Sequence, residues 1–349
     1  MRFFGCFLLI VFALFVATPS FAQTPTPSPT PRPDEEESEQ EIEVREQRQD
    51  TGDGRFSPTG TTTRRTGQGE RYRIEVGVMP RFNSNLFEAE DDAVKRSSFI
   101  TTLSARGEYD LVRRDSLTVT GSAQLRYNIF KDVANANSAE LDFALRFLSG
   151  KNDLQTTFFT TPERLAFITG AGEFVHNSST GFNLDYTRRI SNRFRLRGSY
   201  QLSRESYEGD AFDDRNSTRH RFAAEGRYKF HELFQPGLGV EYDRVNAESE
   251  NFSRNGIAPV LLLVSAYKNI IYTGARYRYI RRDYDARDPL LPNFERTDFR
   301  HDFSIYSSVR LARQWRLFGF FSALENNASR PGRSFSGYQT GLGLFFIFP

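Results

Sequence analysis

The amino-acid sequence predicts an all-β fold, a transmembrane, antiparallel, up-and-down β-barrel of about 14 strands behind a disordered N-terminal tail. The 349 residues combine 34 Phe and 15 Tyr with 46 basic and 44 acidic side chains. They lack the repeated apolar spans of about 20 residues that a helical membrane protein needs. From residue 71, apolar and polar residues alternate in runs of 12 to 16 residues, whereas a strand of a soluble sheet usually has about 5–6.

Residues 1–22 are typical of a secretory signal. Arg2 gives a positive start, residues 3–17 are almost wholly apolar, and Ser20 and Ala22 place small residues at a cleavage site. The alternative is a membrane anchor, although the apolar run is short for a span. The single Cys, Cys6, lies in this segment, so we expect a mature chain without cysteine, which suits an oxidising compartment.

Residues 23–70 have the composition of a disordered periplasmic linker. Pro occupies every second position from 25 to 33, an acidic run follows, and residues 51–70 are rich in Gly, Thr and Arg. The segment holds 11 acidic and 6 basic residues, a net charge of −5. Since the signal carries +1 and the whole chain +2, residues 71–349 carry +6. The linker is either a solvated spacer or a partner-binding segment.

The barrel itself is predicted from period-two alternation over residues 71–349. The runs span residues 71–82, 98–112, 115–130, 138–149, 152–164, 178–190, 193–206, 216–230, 235–246, 254–268, 270–283, 296–311, 314–325 and 334–349. Their connections are short and long in turn, which is typical of an outer-membrane barrel with periplasmic turns and outer loops. Twelve or sixteen strands stay open as alternatives if the runs 235–246 and 254–268 are misassigned.

Aromatic residues on the apolar side of these runs are predicted to form two girdles at the membrane interfaces. The girdle on the side of the short turns is expected to contain Tyr109, Tyr186, Tyr228, Tyr267 and Trp315. The girdle on the side of the long loops is expected to contain Tyr127, Tyr200, Tyr242 and Tyr279.

The C-terminal run resembles the last strand of bacterial outer-membrane β-barrels. Apolar or aromatic residues occupy alternate positions up to a terminal aromatic residue, at Tyr338, Leu342, Leu344, Phe346 and Phe348. The resemblance implies recognition by the barrel-assembly machinery, a bacterial outer-membrane location and contact with membrane lipid and lipopolysaccharide. Pro349 departs from the pattern by following the terminal aromatic. More weakly, this end resembles porin-like barrels associated with exopolysaccharide export and the barrels that modify surface lipoprotein assembly.

Arginines dominate the opposite, polar face of the runs, which is expected to line the lumen. The candidates are Arg106, Arg126, Arg146, Arg195, Arg197, Arg221, Arg227, Arg276, Arg278, Arg300, Arg310 and Arg316. One interpretation is structural, with Arg and acids cross-linking the interior. The other is an anion path, since rings of Arg select anionic permeants. The partner would then be an anionic solute or an acidic polysaccharide.

Two features fit this pattern poorly. Residues 257–267 are almost continuously apolar, and Phe318 and Phe320 fall on the inward face. Either an inward loop or the N-terminal segment covers them, or the thirteenth run contains a bulge that reverses its faces. The apolar, Gly-containing segment 165–177 either folds into the pore as a constriction or extends an outer hairpin.

We predict no catalytic residue, metal site, cofactor or nucleic-acid partner. The four His residues include His220 and His301 near the outer rim, each close in sequence to Asp, so a rim hydrolase is the weakest hypothesis. The acidic loops, with Asp213 and Asp285 among their residues, match no calcium-loop spacing. The leading hypothesis is a channel or export pore for anions, and the second is a non-conducting assembly or secretion accessory.

Overall fold

The computed structural model describes residues 71–85, 97–114, 116–131, 137–168, 173–267, 270–286, 295–329 and 334–348, and they form a closed antiparallel barrel. Fourteen strands follow one another around the barrel, and the first pairs with the last. They are β1 Tyr72–Asn83, β2 Ser98–Arg114, β3 Leu117–Phe130, β4 Ser138–Ser149, β5 Asn152–Ile168, β6 Glu173–Arg189, β7 Phe194–Tyr207, β8 Ser217–Tyr228, β9 Gln235–Ala247, β10 Arg254–Tyr267, β11 Ile271–Tyr284, β12 Thr297–Arg310, β13 Trp315–Ala328 and β14 Phe335–Phe348.

The predicted fold class and the strand number of fourteen are therefore confirmed. The predicted signal (1–22) and linker (23–70) lie outside the described residues and stay predictions. Asp210–Arg215 forms a short 3-10 helix between β7 and β8. Within the described part of the chain, no helix is long and apolar enough to cross a membrane.

Burial along the strands is inverted relative to a soluble protein. In β3, the polar side chains of Arg126 and Asn128 are buried, whereas the apolar side chains of Leu125, Tyr127 and Ile129 are exposed. The same alternation recurs around the barrel, with large apolar residues facing out and polar ones facing in. In water such a surface would aggregate, but in a bilayer it is the stable arrangement. The chain is accordingly a transmembrane barrel.

The hairpin of β5 and β6 is longer than the sequence pattern predicts. The two backbones pair as far as Ile168 and Glu173, and a register shift between Thr161 and Arg164 adds a bulge. The prediction of a loop over 165–177 is therefore wrong for all but residues 169–172, which lie outside the described residues. Because this backbone is already paired in the sheet, it extends the hairpin and does not fold into the pore.

Inward-facing rings explain the two features that fitted the alternation poorly. Phe318 and Phe320 do face the interior, and β13 pairs with both neighbours without a register shift. The alternative of a bulge in this strand is wrong. Both rings belong to a buried apolar cluster that also covers β10 at Val264 and Ala266. We call it the inner aromatic cluster, Met79, Val264, Tyr272, Tyr306, Phe318, Phe320 and Phe345.

Glycines on the inner wall make room for these rings. A Cβ atom on Gly274 would overlap the phenol of Tyr306, and one on Gly341 would overlap the ring of Phe320. Each ring can therefore lie close against the strand beside it, which keeps the inner aromatic cluster compact on one side of the barrel.

Replacing Gly274 with Ala should destabilise the barrel by about 1–3 kcal/mol, because Tyr306 must leave its position or the wall must shift. Urea unfolding in detergent micelles, followed by the fluorescence of the single Trp315, measures the change. Gly107→Ala is the matched control, since nothing lies within 4 Å of a Cβ built there. Equal stability of the two variants would contradict the close approach.

Candidate functional site

The outward aromatic residues occupy the positions predicted for the two girdles. All nine lie on the outward face, with Tyr200 the most covered of them. On the side of the long loops, rings contact one another from strand to strand, with centroids 5.8 Å apart for Phe182 and Tyr200 and 4.7 Å for Tyr200 and Phe222. At the other end, the rings of Trp315 and Phe346 are 4.8 Å apart. Their role as interface anchors remains a prediction.

The last strand, which carries the predicted assembly signal, closes the barrel. β14 pairs with β13 on one side and with β1 on the other. Tyr338, Leu342, Leu344 and Phe348 are exposed on the outer face, and Phe346 is half-buried beside Trp315. Recognition by the assembly machinery remains a prediction, and Pro349 lies outside the described residues.

All twelve predicted lumen arginines fall on inward positions of their strands, and most contact carboxylates. Arg126 is 1% exposed and lies 2.9 Å from an oxygen of Glu140 and 2.9 Å from one of Asp142. Arg146 donates two hydrogen bonds to Asp153, with lengths of 3.0 and 2.7 Å. These contacts match the structural interpretation, in which buried charges are stabilised by pairing.

A larger network connects β8, β9, β11 and β12 across the interior. Arg276 bridges Glu225 and Glu241. Arg278 lies 3.1 Å from Glu241 and 2.6 Å from Asp302, and Arg300 donates a 2.8 Å hydrogen bond to the same Asp302. Because carboxylates neutralise so many arginines locally, a simple count of arginines overstates the positive potential of the lumen.

Arg219 and Arg282 are among the inward arginines outside the predicted set. Arg219 forms a buried two-pronged pair with Asp243, at 2.5 and 2.8 Å. Arg282 is 8% exposed, and among the described residues no carboxylate lies within ion-pair distance of it. Arg219 and Arg282 lie at the same alternating positions as Arg221 and Arg278, closer to the ends of β8 and β11. Extending the alternation to the ends of these strands would therefore have identified them.

Arginines surround a small recess near the long-loop ends of β8 to β12. We call it the arginine recess; its basic residues are Arg219, Arg221, Arg278, Arg282 and Arg300. The acidic residues are Glu241, Asp243 and Asp302, and Gly256, Ala258 and Ile280 add a small apolar surface. Five positive and three negative side chains leave a local charge of +2. The recess therefore carries part of the positive excess of the interior.

The rim histidines contact tyrosine hydroxyls on the outer face of the barrel. The Nδ1 atom of His220 lies 2.9 Å from the Tyr200 hydroxyl, and that of His301 lies 2.8 Å from the Tyr277 hydroxyl. Both pairs are on the outward face, whereas Asp302 faces the interior. An Asp302–His301 pair is therefore not formed.

Carboxylates of the outer loops contact basic or amide groups. Asp285 accepts hydrogen bonds of 2.7 and 2.6 Å from Arg244, and Asp213 accepts one of 3.0 Å from Asn216. Among the residues that the structure describes, no three His, Cys, Asp or Glu side chains are grouped as metal ligands.

Comparison with known proteins finds similarity in architecture alone. No protein-family model and no curated protein matches the sequence. Similar solved structures are outer-membrane barrels. A loop-deletion mutant of OmpT from Vibrio cholerae is 9% identical, with 79% of this chain and 99% of that chain covered and a TM-score of 0.42. OccAB4 from Acinetobacter baumannii is 10% identical, with coverages of 80% and 99% and a TM-score of 0.43. An anion-selective porin from Comamonas acidovorans is 12% identical, with coverages of 79% and 98% and a TM-score of 0.38.

Proposed function

We propose that this chain is a bacterial outer-membrane channel that favours small anionic solutes. The observation that carries the proposal is the local excess of five arginines over three acids in the arginine recess. A transmembrane barrel with an apolar exterior and a charged interior provides the scaffold. Positive charge in a restricted, partly desolvated passage lowers the energy of an anion and raises that of a cation.

Water reaches part of the interior, which supports conduction. The side chains of Arg146 and Arg197 keep 21% and 25% of their surface exposed, although both face inward and contact Asp residues. The side chains of the inner aromatic cluster, in contrast, are buried. A solute would therefore pass along the polar walls of β4 to β9 and meet the arginine recess near the long-loop end.

Ion selectivity in planar bilayers tests the proposal. Under a potassium chloride gradient, the purified full chain should give a reversal potential of the sign for chloride permeation. Raising the salt concentration should weaken the preference, because mobile ions screen the fixed charge. A preference for potassium would overturn the proposal, as would the absence of conductance from protein whose folding is verified by heat-dependent gel mobility.

Close packing of part of the interior favours a second candidate, a non-conducting assembly or secretion accessory. Arg126 and Arg300 are almost fully buried, as are the rings of the inner aromatic cluster. Such a barrel would act through its rim and through residues 23–70. Deleting residues 30–60 should then abolish capture of its partner and leave bilayer insertion intact. An unchanged cellular phenotype after that deletion would exclude this candidate.

A further inference from the structure

Arg282 occupies an unusual position for a permanent charge. It is 8% exposed, and its buried Nε atom has no hydrogen-bond partner. Within the described ranges, no carboxylate is close enough to form an ion pair with it. Asp243, whose charge acts favourably on Arg282, is already held by Arg219 in a two-pronged pair. The charge of Arg282 is therefore not balanced by a dedicated acid.

Neighbouring charges make this position more costly. Arg254 and Arg300 both repel Arg282, and Arg300 directs its Nε toward Asp302 instead. A buried, uncompensated charge destabilises a protein by several kcal/mol. Lysine or histidine relieves such a cost by losing a proton, but an arginine side chain stays protonated in proteins. A mobile counter-ion is the remaining way to offset the charge.

The surroundings of Arg282 suit an oxyanion. The planar guanidinium group binds carboxylate or phosphate through two parallel hydrogen bonds. The recess is small and partly open to the interior, so it can hold a compact anion but not a drug-sized ligand. The acids Glu241 and Asp302 contact arginines of their own, so they do not compete strongly for Arg282.

We propose that the arginine recess is a binding site for one small oxyanion, a carboxylate or a phosphate, and that Arg282 is its anchor. The proposal rests on the proposed anion-conducting function, since the anion would reach the recess through the lumen. The recess would be a specific binding site within the permeation path, and Arg282 would be the residue that determines the affinity for the oxyanion.

Calorimetric titration of the detergent-solubilised full chain tests the site with inorganic phosphate and, separately, with D-glucuronate. We expect saturable binding of at least one of them, with D-glucose as the neutral control. Arg282→Gln should weaken that binding by about 10- to 100-fold, the usual range for losing charge-assisted hydrogen bonds. Comparing the two oxyanions distinguishes phosphate from carboxylate recognition.

Arg281→Gln is the matched control, because it removes the same charge one residue away on the outward face. The Arg281 side chain is 57% exposed and pairs with Asp283, so oxyanion binding should be unchanged. Equal losses in both variants would overturn the proposal, as would absent binding or binding of D-glucose as tight as that of the oxyanions.

Thermal unfolding provides a readout that is independent of the calorimetry. The bound oxyanion should raise the unfolding temperature of the wild type and, at the same concentration, raise that of Arg282→Gln much less. Oxyanion binding without chloride-selective conductance would reject the channel and keep the site. Chloride-selective conductance without oxyanion binding would reject the site and keep the channel.

Discussion

Replacing Arg126 with Gln is expected to destabilise the barrel by about 3–5 kcal/mol, the cost of removing one partner from a buried ion network. The Arg126 side chain is 1% exposed and holds both Glu140 and Asp142. Its loss leaves two carboxylates close together in the interior, and the Gln amide cannot replace a positive charge. Urea unfolding in detergent micelles should show the loss as a lower midpoint with an unchanged slope.

A charge-matched variant separates lost charge balance from lost packing. Arg126→Gln combined with Glu140→Gln and Asp142→Asn keeps the shapes but removes all three charges, so it should recover most of the stability. Arg113→Gln, at the exposed end of β2, should change stability by less than about 0.5 kcal/mol. If the triple variant were as unstable as Arg126→Gln alone, uncompensated charge would not be the cause.

The residues around Arg126 show why the barrel could be predicted from the sequence. Leu125, Arg126 and Tyr127 alternate between lipid and interior, and a period of two survives the twist of a strand. Strand number followed because short turns and long loops alternate as well. Both signals are local, since each depends only on residues adjacent in the chain.

Contacts across the interior could not be predicted in this way. Glu225 and Arg276 are 51 residues apart in sequence, on β8 and β11, yet they form an ion pair. Parity places both inward but does not say which acid neutralises which arginine. The situation of Arg282 could not be predicted for the same reason. Its lack of an ion-pair partner within the described chain depends on where other strands place their carboxylates. The residues that bury Phe318 could not be predicted either, since they come from five other strands.

The prediction for the hairpin of β5 and β6 was wrong for a different physical reason. Gly170 and Gly172 interrupt an apolar segment, and glycine there favours a loop in any local argument. Pairing between two adjacent strands satisfies backbone groups well beyond the point where the alternation weakens. The hairpin therefore continues to Ile168 and Glu173, although the side-chain pattern no longer marks it.

Introducing an arginine at Leu125 is the second large effect that we expect. Leu125 is 46% exposed on the outer face near the middle of β3, directly beside inward-facing Arg126. If lipid surrounds the barrel, a charge there costs about 2–4 kcal/mol at the bilayer midplane. Refolding of Leu125→Arg into phospholipid vesicles, followed by heat-dependent gel mobility and urea unfolding, measures that cost.

Leu111→Arg supplies the comparison that makes the result specific to membrane depth. Leu111 is 54% exposed and also faces outward, but it lies near the short-turn end of β2. A charge close to the interface costs only about 0–1 kcal/mol. In water the two exposed sites would tolerate arginine equally well, so equal stability of the two variants would contradict a lipid-facing surface at Leu125. A large difference in stability between the two variants would mean that neighbouring positions of β3 lie in opposite environments. An arginine stabilises the barrel at position 126 and destabilises it at position 125.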